Sequence, residues 1–66
     1  MMFERRAYLY FLKEYKNGKY PNQRFGQAFY NYFNLHKVSD QSQFKNLYEL
    51  DGDNAKIFIH NNFSFM

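Results

Sequence analysis

Cysteine is absent from the 66 residues, and with it go disulfides, thiolate metal sites and thiol nucleophiles. Histidine is scarce: His36 and His60 form no HExxH motif and no pair at i, i+4, the spacings that place two ligands on one metal. Ser39, Ser42 and Ser64 lack any His/Asp arrangement that would activate a hydroxyl. Asp51 and Asp53 flank a glycine, where Asp is favoured on conformational grounds. The stretch DGDNAKIFIHNN lacks the closing glutamate of a calcium loop. These gaps predict a protein that is not an enzyme and holds neither metal nor cofactor.

Long apolar runs are missing too. The longest, Ala7 to Leu12, falls far short of the ~20 residues of a membrane span. The start, MMFERRAYLY, has charges where the apolar run of an export signal would lie. A cytoplasmic protein with no membrane partner is the expectation. A chain this short makes at most one domain and buries only about 60% of its unfolded surface, so it normally needs a staple. Without cysteine or metal, what remains is tight packing or self-association into a homodimer.

Aromatics are what the chain has in quantity. Nine Phe and seven Tyr make up 24% of it, and each ring can bury about 150–250 Å². A mean hydropathy of −0.79 is compatible with such a core, because Tyr, Asn and Gln lower the value without removing the rings. So small a core cannot hide all sixteen rings, so some tyrosines are expected at the surface or in an interface. The net charge of +3 is uneven. Residues 1–38 carry seven Lys/Arg against two acids, and residues 39–66 carry two Lys against four acids. The basic part suits an anionic partner, whether nucleic acid or an acidic protein surface; the plainer reading is solubility.

Periodicity predicts a small all-α bundle of three or four short helices around an aromatic-rich core. Residues 3–16 place Phe3, Ala7, Tyr8, Tyr10, Phe11, Leu12 and Tyr15 on one wide stripe. Arg5, Arg6, Lys13 and Lys16 gather on the far side, with Leu9 among them as either a stray apolar residue or the centre of a contact patch. Asn17-Gly18 is a helix stop. Residues 21–35 read as a second helix starting at or just after Pro21, with Phe25, Ala28, Phe29, Tyr32, Phe33 and Leu35 inward. Its polar face is rich in amides: Gln23, Gln27, Asn31 and Asn34, with Arg24 the one charge. Gly26 lies inside this helix at a propensity cost of roughly 1 kcal/mol, so close packing is its expected role. Asp40 and Gln43 have capping-box spacing and predict a third helix over 40–50. Beyond it, either Asp53 caps a fourth helix with Ala55, Phe58, Ile59 and Phe63 on one face, or Asp51-Gly52 turns a β-hairpin within residues 45–60. The poor strand residues Asn61-Asn62 favour the helix.

The run Gln23-Arg24-Phe25-Gly26-Gln27-Ala28-Phe29-Tyr30-Asn31, with LYELDGDNAKIFI downstream, resembles short proteins of phages and prophages. These share an R-x-G-Q-x-x-x-N core, an acidic turn and a final apolar segment, and the resemblance spans roughly residues 20–63. It marks Arg24, Gly26, Gln27 and Asn31 and names no activity. What it implies is a small protein that binds a host protein and blocks it in the host cytoplasm, as anti-CRISPR and other anti-defence inhibitors do. The expected partner is then a host protein or protein–nucleic-acid complex. Two surfaces are candidates for it: the basic stripe Arg5/Arg6/Lys13/Lys16 around Leu9, and the amide face Gln23/Gln27/Asn31/Asn34 with Arg24. The amide face reads equally as an internal hydrogen-bond network.

The alternative is direct nucleic-acid binding. Helices over 21–35 and 40–50 would mimic a helix-turn-helix, and Arg, Asn and Gln are base-reading residue types. Against this, the later helix is acidic, with Asp40, Glu49 and Asp51 against Lys45.

Overall fold

Three α-helices and three 3-10 turns close around Phe11 and Phe29, whose side chains are fully buried. The computed structural model describes all 66 residues. In chain order the elements are β1 (Met2–Phe3), α1 (Arg5–Lys16), α2 (Phe25–Tyr32), 3-10 turns at Leu35–Lys37, Gln41–Phe44 and Leu47–Glu49, α3 (Gly52–Asn62) and β2 (Ser64–Phe65). The architecture is the small helical bundle expected from periodicity. It carries one addition, a two-stranded parallel sheet that ties the chain's two ends together.

Twelve apolar residues form the core, and seven of them are aromatic. Phe11 meets Phe29 at 5.9 Å and Phe25 at 5.3 Å, both edge-to-face, the arrangement that ring quadrupoles favour. Phe3 packs against Phe29 and Phe63 in the same way, each at 5.3 Å. The one polar group among the core side chains is the Tyr8 hydroxyl, which pairs with His60 Nε2 at 3.2 Å, so no buried side-chain polar atom lacks a partner. At roughly 1.5–3 kcal/mol per fully buried ring, the aromatics supply what the missing disulfides would. Tyr10, expected on the apolar stripe of α1, is instead exposed, as is Tyr48, because so small a core has no room for every ring.

Helix α1 begins two residues later than the pattern suggested, because Phe3 is taken into β1. It ends as predicted. Gly18 adopts φ 84° and donates to the Tyr15 carbonyl at 3.0 Å, while Lys19 donates to Glu14 O at 3.1 Å. These are the two bonds of a Schellman stop, in which the left-handed residue is favourable as glycine. Helix α2 is shorter than expected. Pro21 lies in a turn, and the helix starts at Phe25 with Arg24 at its N-cap position. Asn34 follows the helix at φ 54°, donating to Asn31 O at 3.1 Å, so its side chain is not part of a helical face.

The predicted helix over 40–50 does not form. Two 3-10 turns replace it, split by Asn46 at φ 71°. Side chains here occupy the backbone groups a helix would use: Asp40 accepts the Ser42 N–H, and Gln41 donates to the carbonyls of Leu35 and Val38. Gln43 donates to Asp40 O rather than accepting its N–H, so the capping box is not closed. The last helix is real and the hairpin alternative is not, but the cap is Asp51, two residues before Asp53.

The parallel sheet pairs Met2 with Ser64 and Phe3 with Phe65. Ser64 donates to Met1 O and Met66 to Phe3 O, each at 3.0 Å, and Arg5 donates to Met66 O at 2.9 Å. The first residues of α1 are thereby fixed beside the end of α3.

Candidate functional site

The two surfaces singled out by the sequence have different fates. The amide face is drawn into the fold. Gln27 donates to the Tyr48 hydroxyl at 2.9 Å, and Asn31 donates to Gln23 Oε1 at 3.3 Å. Next to them, Tyr30 donates to Gln41 at 2.6 Å, and Gln41 in turn holds two backbone carbonyls. This chain of bonds ties α2 to the irregular segment 35–49. Asn34 sits beyond α2 in the left-handed conformation that Asn tolerates, so its place is explained by the turn.

Arg24 belongs to a second structural knot. Asp51 Oδ1 accepts the N–H of Gly52 and also that of Phe25, 26 positions earlier, each at 2.9 Å. One carboxylate therefore caps α3 and the otherwise uncapped start of α2. The Phe25 N–H, then the Gly52 N–H, hold its carboxyl below the ordinary range, with Arg24 adding a smaller attraction. Beside this knot Gly26 donates to Leu50 O at 2.9 Å. A Cβ there would overlap the Leu47 carbonyl oxygen and come within 2.8 Å of the Leu50 carbonyl oxygen. Of the four residues marked by the resemblance, Gly26 and Gln27 thus sit where α2 meets the segment that follows it, Arg24 is the N-cap residue of α2, and Asn31 bonds back to Gln23 ahead of the helix.

The basic stripe remains free. Arg5, Arg6, Lys13 and Lys16 are all exposed on α1, and Leu9 between them is 57% exposed. The one ion pair of the molecule joins Lys19 to Glu14 at 3.0 Å, so no acid neutralises any of the four. Lys13 and Lys16 lie in the last turn of α1, where cations suit the helix dipole. Arg5 and Arg6 lie in the first turn, the unfavourable end for a cation, directly after the N-cap residue Glu4, with which they form no ion pair.

Beside Leu9 the surface is concave. One groove of about 380 Å³ is lined by Tyr8, Leu9 and Leu12 of α1 and by Phe63 and Phe65, with Arg5 and His60 at its rim. A second, of about 500 Å³ and lined by Glu4, Arg5, Arg6, Leu9 and Met66, continues it, so one acid shares this surface with the two arginines. Arg5 and Leu9 border both. His60 is held by the Tyr8 hydroxyl at 3.2 Å from Nε2, and burial pushes the Tyr8 phenol up. The sequence reading missed the far wall of this trough. Its one signal there was the alternation Phe63-Ser64-Phe65, a period of two just after a helical pattern.

Chemically the surface offers cations and apolar contact. No three His, Asp or Glu side chains converge on a point where a metal could sit. No helix is long and apolar enough to cross a membrane. No family model, curated protein or solved structure matches the chain.

Proposed function

We propose that this is a small binding protein that acts by occupying an acidic surface of a larger protein through the exposed face of α1. The observation that carries the reading is the placement of Arg5 and Arg6. They sit at the positive end of the α1 dipole, directly after the N-cap residue Glu4 and without an ion pair to it or to any other acid, a position that local stability disfavours for a cation. A merely solubilising charge would be as effective elsewhere; one held against the dipole fits a requirement from outside the fold. Around them, Lys13, Lys16 and the exposed Leu9 extend the face. The resemblance to short phage and prophage proteins supplies the context: a host protein as partner, and occlusion of its surface, as in anti-defence or anti-CRISPR inhibitors, as the mode of action. The amide face is not needed for this reading, because Gln27 is already bonded to Tyr48 and Asn31 to Gln23.

Direct nucleic-acid binding has weaker support. The helix-turn-helix it would use is missing, since residues 40–50 form no α-helix. The remaining basis is the four free cations on one helix, which could contact phosphates.

The test is capture from a nuclease-treated bacterial lysate by the immobilised protein, alongside the variant Arg5→Glu/Arg6→Glu. One dominant protein held by the parent and lost by the variant is the expected result. Equal recovery by both would remove α1 as the docking face. Titration with random duplex and single strands at low salt checks the second reading, and binding that falls steeply with salt would favour it.

A further inference from the structure

We infer that the occupant of the α1 trough is an acidic amphipathic helix of the partner protein, laid along Leu9 with its carboxylates toward Arg5, Arg6 and Lys13. This rests on the proposed function and specifies the shape and chemistry of what is bound.

The geometry comes from the spacing on α1. Arg5, Leu9 and Lys13 recur every four residues, so they form one i±4 ridge, and Tyr8 and Leu12 form the adjoining row. A ridge of this kind presents grooves that accept the ridges of a second helix. The ridge is free along its length: Arg5, Leu9 and Lys13 are exposed, and none makes a side-chain hydrogen bond or ion pair. On one side the surface drops into the trough whose opposite wall is Phe63 and Phe65. From Arg5 to Lys16 the face runs about 18 Å at 1.5 Å per residue, which matches roughly three turns of a partner helix.

Charge selects the partner's sequence. Arg5 and Arg6 border the apolar floor, with Glu4 beside them, and Lys13 and Lys16 extend the cationic face beyond it along α1, so the matching helix has a Leu- or Phe-bearing stripe flanked by Glu or Asp. Duplex DNA satisfies only half of this. Phosphates would answer the cations, but a backbone of charged oxygens would leave Leu9 and the floor formed by Phe65 without apolar contact. An extended acidic strand fits less well, because it has no ridge to enter the i±4 row.

The experiment uses the full chain, ¹⁵N-labelled, and two fluorescein-labelled synthetic peptides of identical Leu/Glu/Ala composition. In one, leucines recur at i, i+3 and i+7 to make a helical stripe; in the other the order is scrambled. Expected is at least about tenfold tighter binding of the patterned peptide, the value of one apolar contact. Amide shifts should be confined to residues around Tyr8–Leu12 and His60–Phe65, leaving Gln27 and Tyr48 unmoved. Leu9→Ser, at an exposed position that leaves the fold intact, should abolish the preference for the patterned peptide. Equal affinity for both peptides, binding of neither, shifts centred elsewhere, or a 20-base-pair duplex that outcompetes the patterned peptide would each overturn the helix inference. Those outcomes leave the wider reading to the lysate capture, which depends on Arg5 and Arg6 and not on the shape of the ligand.

Discussion

The carboxylate of Asp51 accepts the backbone N–H of Phe25 at 2.9 Å, across 26 positions of sequence, while also capping its own helix through Gly52. Two helix starts depend on one side chain. Asp51→Ala should therefore lower the melting temperature more than the loss of a single N-cap does, whereas Asp51→Asn keeps the accepting oxygen and should lose less. The two variants also separate charge from hydrogen bonding. Because the folded carboxyl is held below its ordinary value of 3.8, its ionised form adds stability that is fully present above that pH. That contribution is lost as pH falls below 3.8 toward the lowered folded value. Thermal melts from pH 6 downward should show the parent's advantage over Asp51→Asn shrinking across that acid range. A constant difference at every pH would show that the charge contributes nothing. Asp40, held low by the Ser42 hydroxyl and then by the Ser42 N–H, titrates in the same direction and is common to both proteins.

Gly26→Ala should destabilise by about 2–3 kcal/mol, as overpacking against backbone does. In an ordinary helix interior the same change would stabilise by roughly 1 kcal/mol, so the sign is diagnostic. The added methyl meets carbonyl oxygens of Leu47 and Leu50, which are backbone atoms and cannot rotate away. Urea denaturation measures it. A variant as stable as the parent would mean that α2 and the 47–50 segment can separate without cost.

Phe29→Ala should remove about 3–5 kcal/mol, which for a domain this small leaves little or no folded population. Phe29 is fully exposed to the rest of the core and to no solvent, touching rings from Phe3, Tyr8, Phe11 and Phe63. Tyr10→Ala, at a ring 56% exposed, should change stability by no more than ~0.5 kcal/mol. Near-ultraviolet circular dichroism with urea titration distinguishes them.

These contrasts explain what could be read from sequence. The apolar faces of α1, α2 and α3 were legible because Phe11, Phe25, Phe29 and Ile59 recur at helical spacing and each is buried. Gly26 was legible as a packing glycine, since nothing else justifies its propensity cost. The helix over 40–50 was misread because the side chains of Asp40 and Gln41 bond local backbone groups and Asn46 takes a left-handed backbone, and spacing alone cannot show which arrangement wins. The reach of Asp51 to Phe25 was invisible, because it depends on how α3 is set against α2. Strands of two residues are too short to establish a period, so β1 left no trace and β2 only the alternation Phe63-Ser64-Phe65, and the trough wall at Phe65 went unread. The basic stripe was legible as a stripe, but only the structure shows that its cations form no ion pair while Gln27 is bonded to Tyr48 and Asn31 to Gln23.

That difference makes the last prediction the sharpest. Arg5→Glu/Arg6→Glu places acids where the positive end of the α1 dipole favours them, so the variant should be more stable than the parent by about 0.5–1 kcal/mol. Lys13→Glu/Lys16→Glu does the reverse in the last turn and should be less stable by a similar amount. If the exposed face of α1 serves only solubility, binding is irrelevant and only these stability changes are seen. If it docks an acidic partner, Arg5→Glu/Arg6→Glu gains stability and loses binding in the same molecule. Loss of binding then cannot be blamed on unfolding. Melting temperature and partner recovery, measured on both double variants, decide the matter: stability and binding moving in opposite directions for the arginine pair is the signature of residues kept for contact, and a fall in both would place Arg5 and Arg6 among the residues that hold the fold.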